Sequence, residues 1–386
     1  MNNGKRVKKA ISLEGLLSLT FFLVFFIFMG SKMGAVNMFN TIMKTGHDLL
    51  LNTVFFIMAI AVIAGALAGV LSEFGVIAII NKILSPLMKP LYDLPGASAL
   101  GMVTTYLSDN PAIITLAEDK GFKRYFKKYQ IPALTNLGTA FGMGLIVTTF
   151  MMAQKPNNNE NFVLAALIGN LGAIIGSIIS VRLMLRFTKK VYGKNQLAID
   201  IEDEDIDILN YREIREGGVG SRILASLLEG GKTGVDMGMS IIPGVLIICT
   251  LVLMLTNGPS AKGVYTGAAF EGVPVLPWIG SKISFIIEPL LGFKSAEAIA
   301  FPITSLGAVG AAISLVPNFL SKGLIGGNEI AVFTAMGMCW SGYLSTHVAM
   351  MDALKCRELT GKAILSHTIG GLMAGISAHL IYSLIF

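Results

Sequence analysis

The chain carries one pattern twice, and that duplication restricts its folds more than any single motif does. KTGHD at Lys44–Asp48 recurs as KTGVD at Lys232–Asp236, each time opening a long apolar stretch. MKPLYDLPGASALGMVTTYL, from Met88, lines up without a gap with IEPLLGFKSAEAIAFPITSL, from Ile287, at an offset of 199. The same offset pairs QIPALTNLGTAF, from Gln130, with EIAVFTAMGMCW, from Glu329, and sets Gly172 and Gly176 on Gly371 and Gly375. Between Pro90 and Gly176, 18 of 87 aligned pairs are identical, and in so apolar a chain the missing gaps weigh more than the identities. The offset moves from 188 to 199, which places an insertion of 11 residues in the loop around Gly258–Pro277.

Composition says what kind of unit is duplicated. Apolar residues make up 53%, charged residues 14%, and mean hydropathy is +0.69, far from the balance of a soluble domain. There is room for about seven spans of roughly 20 residues. The net charge of +6 does not point to nucleic acid, because the basic residues cluster at span ends. Cys249 and Cys339 fall inside apolar segments and Cys356 just beyond one, with no disulfide framework or metal spacing. Leu16–Met29 follows KRVKK but lacks a small-residue cleavage site, so it reads as an uncleaved first helix.

Spans are predicted at about 15–32, 48–71, 130–152, 161–186, 235–256, 329–351 and 360–385. Two further apolar segments, 97–117 and 296–316, are interrupted by polar or glycine-rich positions and are expected to be re-entrant hairpins. With the N-terminus inside, that reading puts 23 of the 30 Lys and Arg on the cytoplasmic side, the bias that orients helices. Full crossings would move KGFKRYFKK outside. Each copy then runs interfacial helix, span, interfacial helix, hairpin, span, span. Three spans is an odd number, so the second copy is expected to be inverted, an arrangement that puts transporter sites near the membrane midplane. The expected fold is an all-α polytopic membrane protein. Residues 1–36 form an N-terminal cytosolic segment and first transmembrane helix, 37–195 the first repeat, 196–219 an acidic cytosolic linker, and 220–386 the inverted second repeat, with the C-terminus outside.

Thr45 and Thr233 each stand three residues before Asp48 and Asp236. That spacing is a capping box, and the four residues are expected to cap helix starts. The fragment GGKT is not a phosphate loop, since the first glycine of that motif would fall on Ser226. TTYLSDNPAIITL is the most informative polar cluster. Ser108, Asp109 and Asn110 interrupt an apolar run and Pro111 stops a helix passing through. Two half-helices meeting there would aim their ends at one point, and an ionisable residue inside a membrane marks function by default. The plainer alternative is a tight turn. The matching tip carries Thr304 and Ser305 without an acid, and Thr105 aligns with Thr304. That hydroxyl pair suits a neutral solute, or only close helix packing. Thr135 and Asn136 align with Thr334 and Ala335, and Asn136 needs a partner from another helix or a solute. His347, near Asp352, is expected to be a solvated histidine, with His367 and His379 weaker still as candidates. Pro243 faces Phe55 in the alignment and is expected to kink one copy only.

At KPLYDLPGASALGMVTTYLSDNPA the chain resembles the nucleoside recognition, or Gate, domain superfamily. Its members include parts of concentrative nucleoside transporters, the membrane half of ferrous iron transport protein B, and the spore maturation membrane proteins. The resemblance covers about 40–186 and 225–386. The chain lacks the iron transporter's GTP-binding domain and is shorter than a nucleoside transporter. Residues and resemblance together predict a bacterial inner-membrane secondary transporter of a small polar solute, nucleoside-like or another metabolite, with alternating access at the repeat interface. Ser108, Asp109, Asn110, Thr105, Asn136, Thr304, Ser305 and Thr334 are the expected solute or ion ligands. Na+ or H+ is the expected coupling cation, with no cofactor and no metal. The expected partners are the lipid bilayer, the solute and further copies of the chain, without nucleic acid. The alternative is a non-transporting assembly or scaffold protein of the spore-maturation type. An enzyme is not expected, since no nucleophile–base pair, metal set or phosphate loop is present.

Overall fold

The computed structural model describes residues 10–110, 112–118, 120–156, 160–199, 210–212, 214–260 and 263–386. Pro111, the Asn-rich 157–159, the KRVKK segment and linker residues 200–209 and 213 lie outside the described residues.

The chain is an all-α polytopic membrane protein. Among the described residues, six helices are long and apolar enough to cross a membrane. Helix α1 (Leu13–Met33) starts where the Ser12 hydroxyl accepts the Gly15 N–H. The first repeat then runs α2 (Ala35–Glu73), α3 (Val76–Tyr92), a hairpin of α4 (Ser98–Leu107) and α5 (Ala112–Glu118), a broken helix of α6 (Ala133–Thr139) and α7 (Gly144–Met152), and α8 (Phe162–Tyr192). The second repeats that order. It consists of α9 (Val219–Thr256), α10 (Val275–Lys282) with α11 (Ser284–Leu291), a hairpin of α12 (Ala300–Ser305) and α13 (Val309–Ser321), a broken helix of α14 (Gly327–Cys339) and α15 (Tyr343–Ala353), and α16 (Thr360–Ile385).

The offset of 199 holds to the residue. The ends of α3, Val76 and Tyr92, fall on Val275 and Leu291, the outer ends of α10 and α11. Left-handed backbone recurs at the same register: Asp93 (φ 59°) matches Gly292 (67°), and Met143 (53°) matches Gly342 (63°). At 1.5 Å per residue the 10 residues of α4 reach about 15 Å, half of a hydrocarbon core. Both hairpins therefore turn back inside the molecule.

Corresponding helices of the two copies pack antiparallel. A Cβ on Gly172 would meet the Ala374 carbonyl oxygen at 2.6 Å, and one on Gly176 that of Gly370 at 2.4 Å, so numbers rise along α8 as they fall along α16. In α2 and α9, Gly65 faces Gly230 and Gly69 faces Ser226, each with the carbonyl oxygen 2.3 Å from such a Cβ. Two like units whose equivalent helices run in opposite directions are inverted copies. Single cysteines replacing Lys127 and Ser321, exposed beyond the bases of the two hairpins, are accordingly expected to react from opposite faces. The background would lack Cys249, Cys339 and Cys356. Labelling of both from one face would remove the inversion.

The capping-box expectation fails. Thr45, Asp48, Thr233 and Asp236 lie inside the continuous helices α2 and α9, where no orphan N–H groups exist to be capped. Asp48 itself is helical (φ −62°, ψ −45°). The Thr45 hydroxyl accepts the N–H of Phe270 in the inserted loop at 2.9 Å, Asp48 accepts from the Asn52 amide, and Thr233 donates to the Glu229 carbonyl. The expected asymmetry at Pro243 fails too. Helix α9 passes through Pro243 into a widened π-turn at Val245–Cys249, and α2, without a proline, has a π-turn at Leu49–Val54. At the end of α2, linker Arg215 pairs with Glu73 and Glu229, and Arg222 reaches Glu73 at 2.7 Å.

Candidate functional site

The two hairpin tips and the two helix breaks meet at one place. Helix α4 stops at Leu107 because Ser108 takes a non-helical conformation (φ −133°, ψ −114°). The Asp109 carboxylate then accepts the N–H of Asn110 at 2.7 Å, which fixes the turn. Asn110 is buried and its amide donates to the carbonyl of Ser341 at 2.7 Å. Its Oδ1 lies 1.4 Å from where a Cβ of Gly142 would stand. Gly142 and Ser341 are equivalent positions of the two copies, so Asn110 sits between the two helix breaks. From the second hairpin, the carbonyl of Ser305 accepts the N–H of Gly342 at 3.0 Å, and Gly307 closes on Gly342 from the other side.

The breaks have a common cause. Left-handed backbone at Met143 and Gly342 cannot continue a right-handed helix, and α7 and α15 start afresh from these two residues. Such joints leave backbone groups for other partners, and within a membrane these must be found inside the protein. Asn110 supplies one such partner. Its own Oδ1 is buried with no hydrogen bond and packs against Gly142.

The other expected ligands divide. Ser108, Thr105, Thr304, Ser305 and Thr334 donate to carbonyls three or four residues back in their own segments. Thr334 also packs on Gly169 of α8, away from the tips. Asn136 is drawn into a different cluster, with its amide on Ser180 (2.9 Å) and the Ala363 carbonyl (3.1 Å). His347 contradicts the solvated reading. It is fully buried, ring to ring with His367 at 4.7 Å, because α15 turns this face toward α16 rather than toward the helix end. Gly142 and the Ser341 backbone were not identified from the sequence. Only the recurrence of small residues at equivalent positions pointed to them.

A cavity of about 250 Å³ lies beside the first hairpin. Gly69, Ser72, Glu229 and Thr233 of the α2–α9 pair line one wall, and Thr104 and Ser108 of the first hairpin the other. It stops one residue short of Asp109. The α3 helix that carries this hairpin is fixed at its end by Asp93, which bonds Lys189 of α8 and Lys89. Partial burial pushes the Asp93 carboxyl up, but the two ammonium groups outweigh it and hold it below the usual range.

Paired re-entrant hairpins and paired broken helices in two inverted units define a transporter-like membrane fold. Among the solved structures similar to this chain are those of CNTnw, a concentrative nucleoside transporter. An outward-facing variant superposes with a TM-score of 0.57 at 13% identity, covering 96% of this chain and 86% of that one. An inward-facing substrate-bound form gives 0.53 at 13%, covering 96% and 85%. An intermediate state gives 0.54 at 12%, covering 95% and 86%. No protein-family model matches the chain, and no curated protein matches it. At that identity the likeness is one of fold.

Proposed function

We propose that this chain is a secondary transporter of a small polar solute, with a nucleoside as the first candidate class. The observation that carries the reading is Asn110, wedged between the equivalent positions Gly142 and Ser341 with an unpartnered Oδ1. A solute or coupling cation in such a place touches both copies at once, which alternating access between inverted repeats requires. The likeness to a nucleoside transporter seen in outward, intermediate and inward forms supports the same reading. Asp109 orients the tip, Asn110 contacts the solute, and the carbonyls of the two breaks serve it or a cation, Na+ or H+. The remaining hydroxyls, Thr105, Thr304 and Ser305, line the hairpins as secondary contacts.

The test is thermal unfolding of purified protein in nanodiscs against nucleosides, other small metabolites and Na+. A ligand present at 100 times its Kd adds about 2.7 kcal/mol of stability. Asn110→Ala is expected to lose that increment and solute uptake in proteoliposomes, while still inserting. Absence of stabilisation and of uptake across the solute panel would return the chain to the assembly reading.

A further inference from the structure

A second buried polar cluster lies one turn beyond the helix breaks, and its hydrogen atoms do not balance. His347 on α15 and His367 on α16 are both fully buried with ring centroids 4.7 Å apart. The protonation of His367 follows from its partners. Nε2 bonds the carbonyl of Cys339, which only accepts, so Nε2 carries the hydrogen. Nδ1, 2.9 Å from the Ser180 hydroxyl, must then accept, and Ser180 donates its one hydrogen to it. The Ser180 oxygen in turn accepts from the Asn136 amide at 2.9 Å. The amide orientation of Asn136 is fixed because the same nitrogen serves the Ala363 carbonyl at 3.1 Å. This leaves Asn136 Oδ1 as a buried acceptor with no donor.

His347 has the same deficit. Its Nδ1 lies 3.5 Å from the Thr139 hydroxyl, whose hydrogen goes to the Thr135 carbonyl at 2.9 Å. Nδ1 is therefore the donor, and Nε2 is a second buried acceptor without a partner. Thr139, which reaches His347, and Asn136, which reaches Ser180, are neighbours on one face of α6, three residues apart. Two acceptors and no donor remain in one sealed cluster. Unsatisfied groups of this kind are costly, and a proton on Nε2 of His347 removes one of the two.

We propose that the His347–His367 pair is a proton-binding site. A proton on Nε2 of His347 turns that orphan acceptor into a donor. No bond other than N–H forms, and the proton comes from water. The pair takes one proton, because a second would set like charges side by side. The groups facing His347 are His367 from α16, Thr139 from α6, and Tyr343 one turn back on α15, itself hydrogen-bonded to Thr368 at 2.7 Å. Cys339 of α14 contributes its carbonyl through His367, and α8 contributes Ser180. Asp352, further along α15, is partly exposed and pairs with Arg357. Helix α15 begins at Gly342, beside the Ser341 carbonyl that Asn110 holds. Proton occupancy at His347 thus acts on the second helix break and, through it, on the central site. The site itself needs no transport to exist. Its role as the coupling-ion site rests on the function proposed above.

The test begins with histidine-selective 15N NMR of the whole protein in nanodiscs. The chain has four histidines. His347→Gln assigns the signal directly, and His47→Gln with His379→Gln assign the buried pair by subtraction if that variant does not fold. Expected is one imidazole of the pair titrating between about pH 4 and 6.5, the acid side of the ordinary histidine value, because burial disfavours a charged ring. Its midpoint should move by about one pH unit in Asn136→Ala and not in His379→Gln. A pair that stays neutral across that range overturns the proposal, and the two acceptors are then served by water. The second arm is uptake into proteoliposomes driven by an imposed pH gradient, expected in the wild type and lost in His347→Gln. Titration without gradient-driven uptake overturns the coupling role. Titration with no transport of any solute overturns the function proposed above and leaves the proton site standing.

Discussion

Gly142→Val is expected to abolish solute-dependent stabilisation and uptake while the chain still inserts. The added Cβ would stand 1.4 Å from Asn110 Oδ1 and 2.5 Å from its Cγ, so the Asn110 side chain must leave. Its bond to the Ser341 carbonyl then breaks, leaving a buried acceptor unpaired at a cost of about 1–3 kcal/mol. Overpacking at the same place adds about 1–3 kcal/mol more. The equivalent position behaves differently. Ser341 meets Asn110 through its backbone carbonyl, so Ser341→Ala keeps the contact and is expected to respond to solute as the wild type does. Thermal unfolding with and without solute, together with uptake, reads both variants. A Gly142→Val protein with the wild-type solute response would show that the convergence of tips and breaks is packing alone.

What the sequence showed of this fold follows from which forces act locally. The hairpins were legible because Asp109 and Asn110 cannot lie in an apolar helix at no cost, and because full crossings would have put a basic cluster on the wrong side. The inversion followed from counting spans, and the antiparallel contacts of α8 with α16 agree with it. The helix breaks were not legible. Met143 is an ordinary helix residue by propensity, and its left-handed backbone is imposed by the tertiary contacts around it. KTGxD misled because a capping box is a local pattern, while a helix start also needs non-helical backbone at the cap. The apolar sequence on either side carries α2 and α9 straight through. His347 misled for a related reason. Distance from a helix end says little about burial when a neighbouring helix, here α16, covers that face. Asn136 needs a partner from another helix or a solute, and its amide meets Ser180 of α8 and the Ala363 carbonyl of α16.

The crossing of α2 with α9 carries the other large expected effect. Ala61, Gly65 and Gly69 on one helix meet Gly234, Gly230 and Ser226 on the other, small residues spaced by four on both sides. Such spacing lets backbones approach closely in a membrane, where association depends on packing rather than on hydrophobic burial. A Cβ at Gly234 would lie 2.3 Å from the Ala61 carbonyl oxygen and 2.5 Å from the Val62 Cα, both of them backbone. Nothing there can rotate away, so Gly234→Leu must separate the helices and is expected to prevent accumulation of folded protein. Gly231, three residues earlier on α9, provides the control. Its added Cβ would meet Val62 alone, at an ordinary 3.6 Å from the side chain and 3.9 Å from the carbonyl oxygen. Gly231→Ala is therefore expected to fold as well as wild type or better, since replacing a helical glycine gains up to about 1 kcal/mol. The yield of monodisperse protein after extraction and its unfolding temperature measure the difference. The walls of the cavity beside α4 are built on this crossing, so a partly folded Gly234→Ala should lose solute response together with stability. If it keeps full stability, the close approach of α2 and α9 does not hold the two copies together.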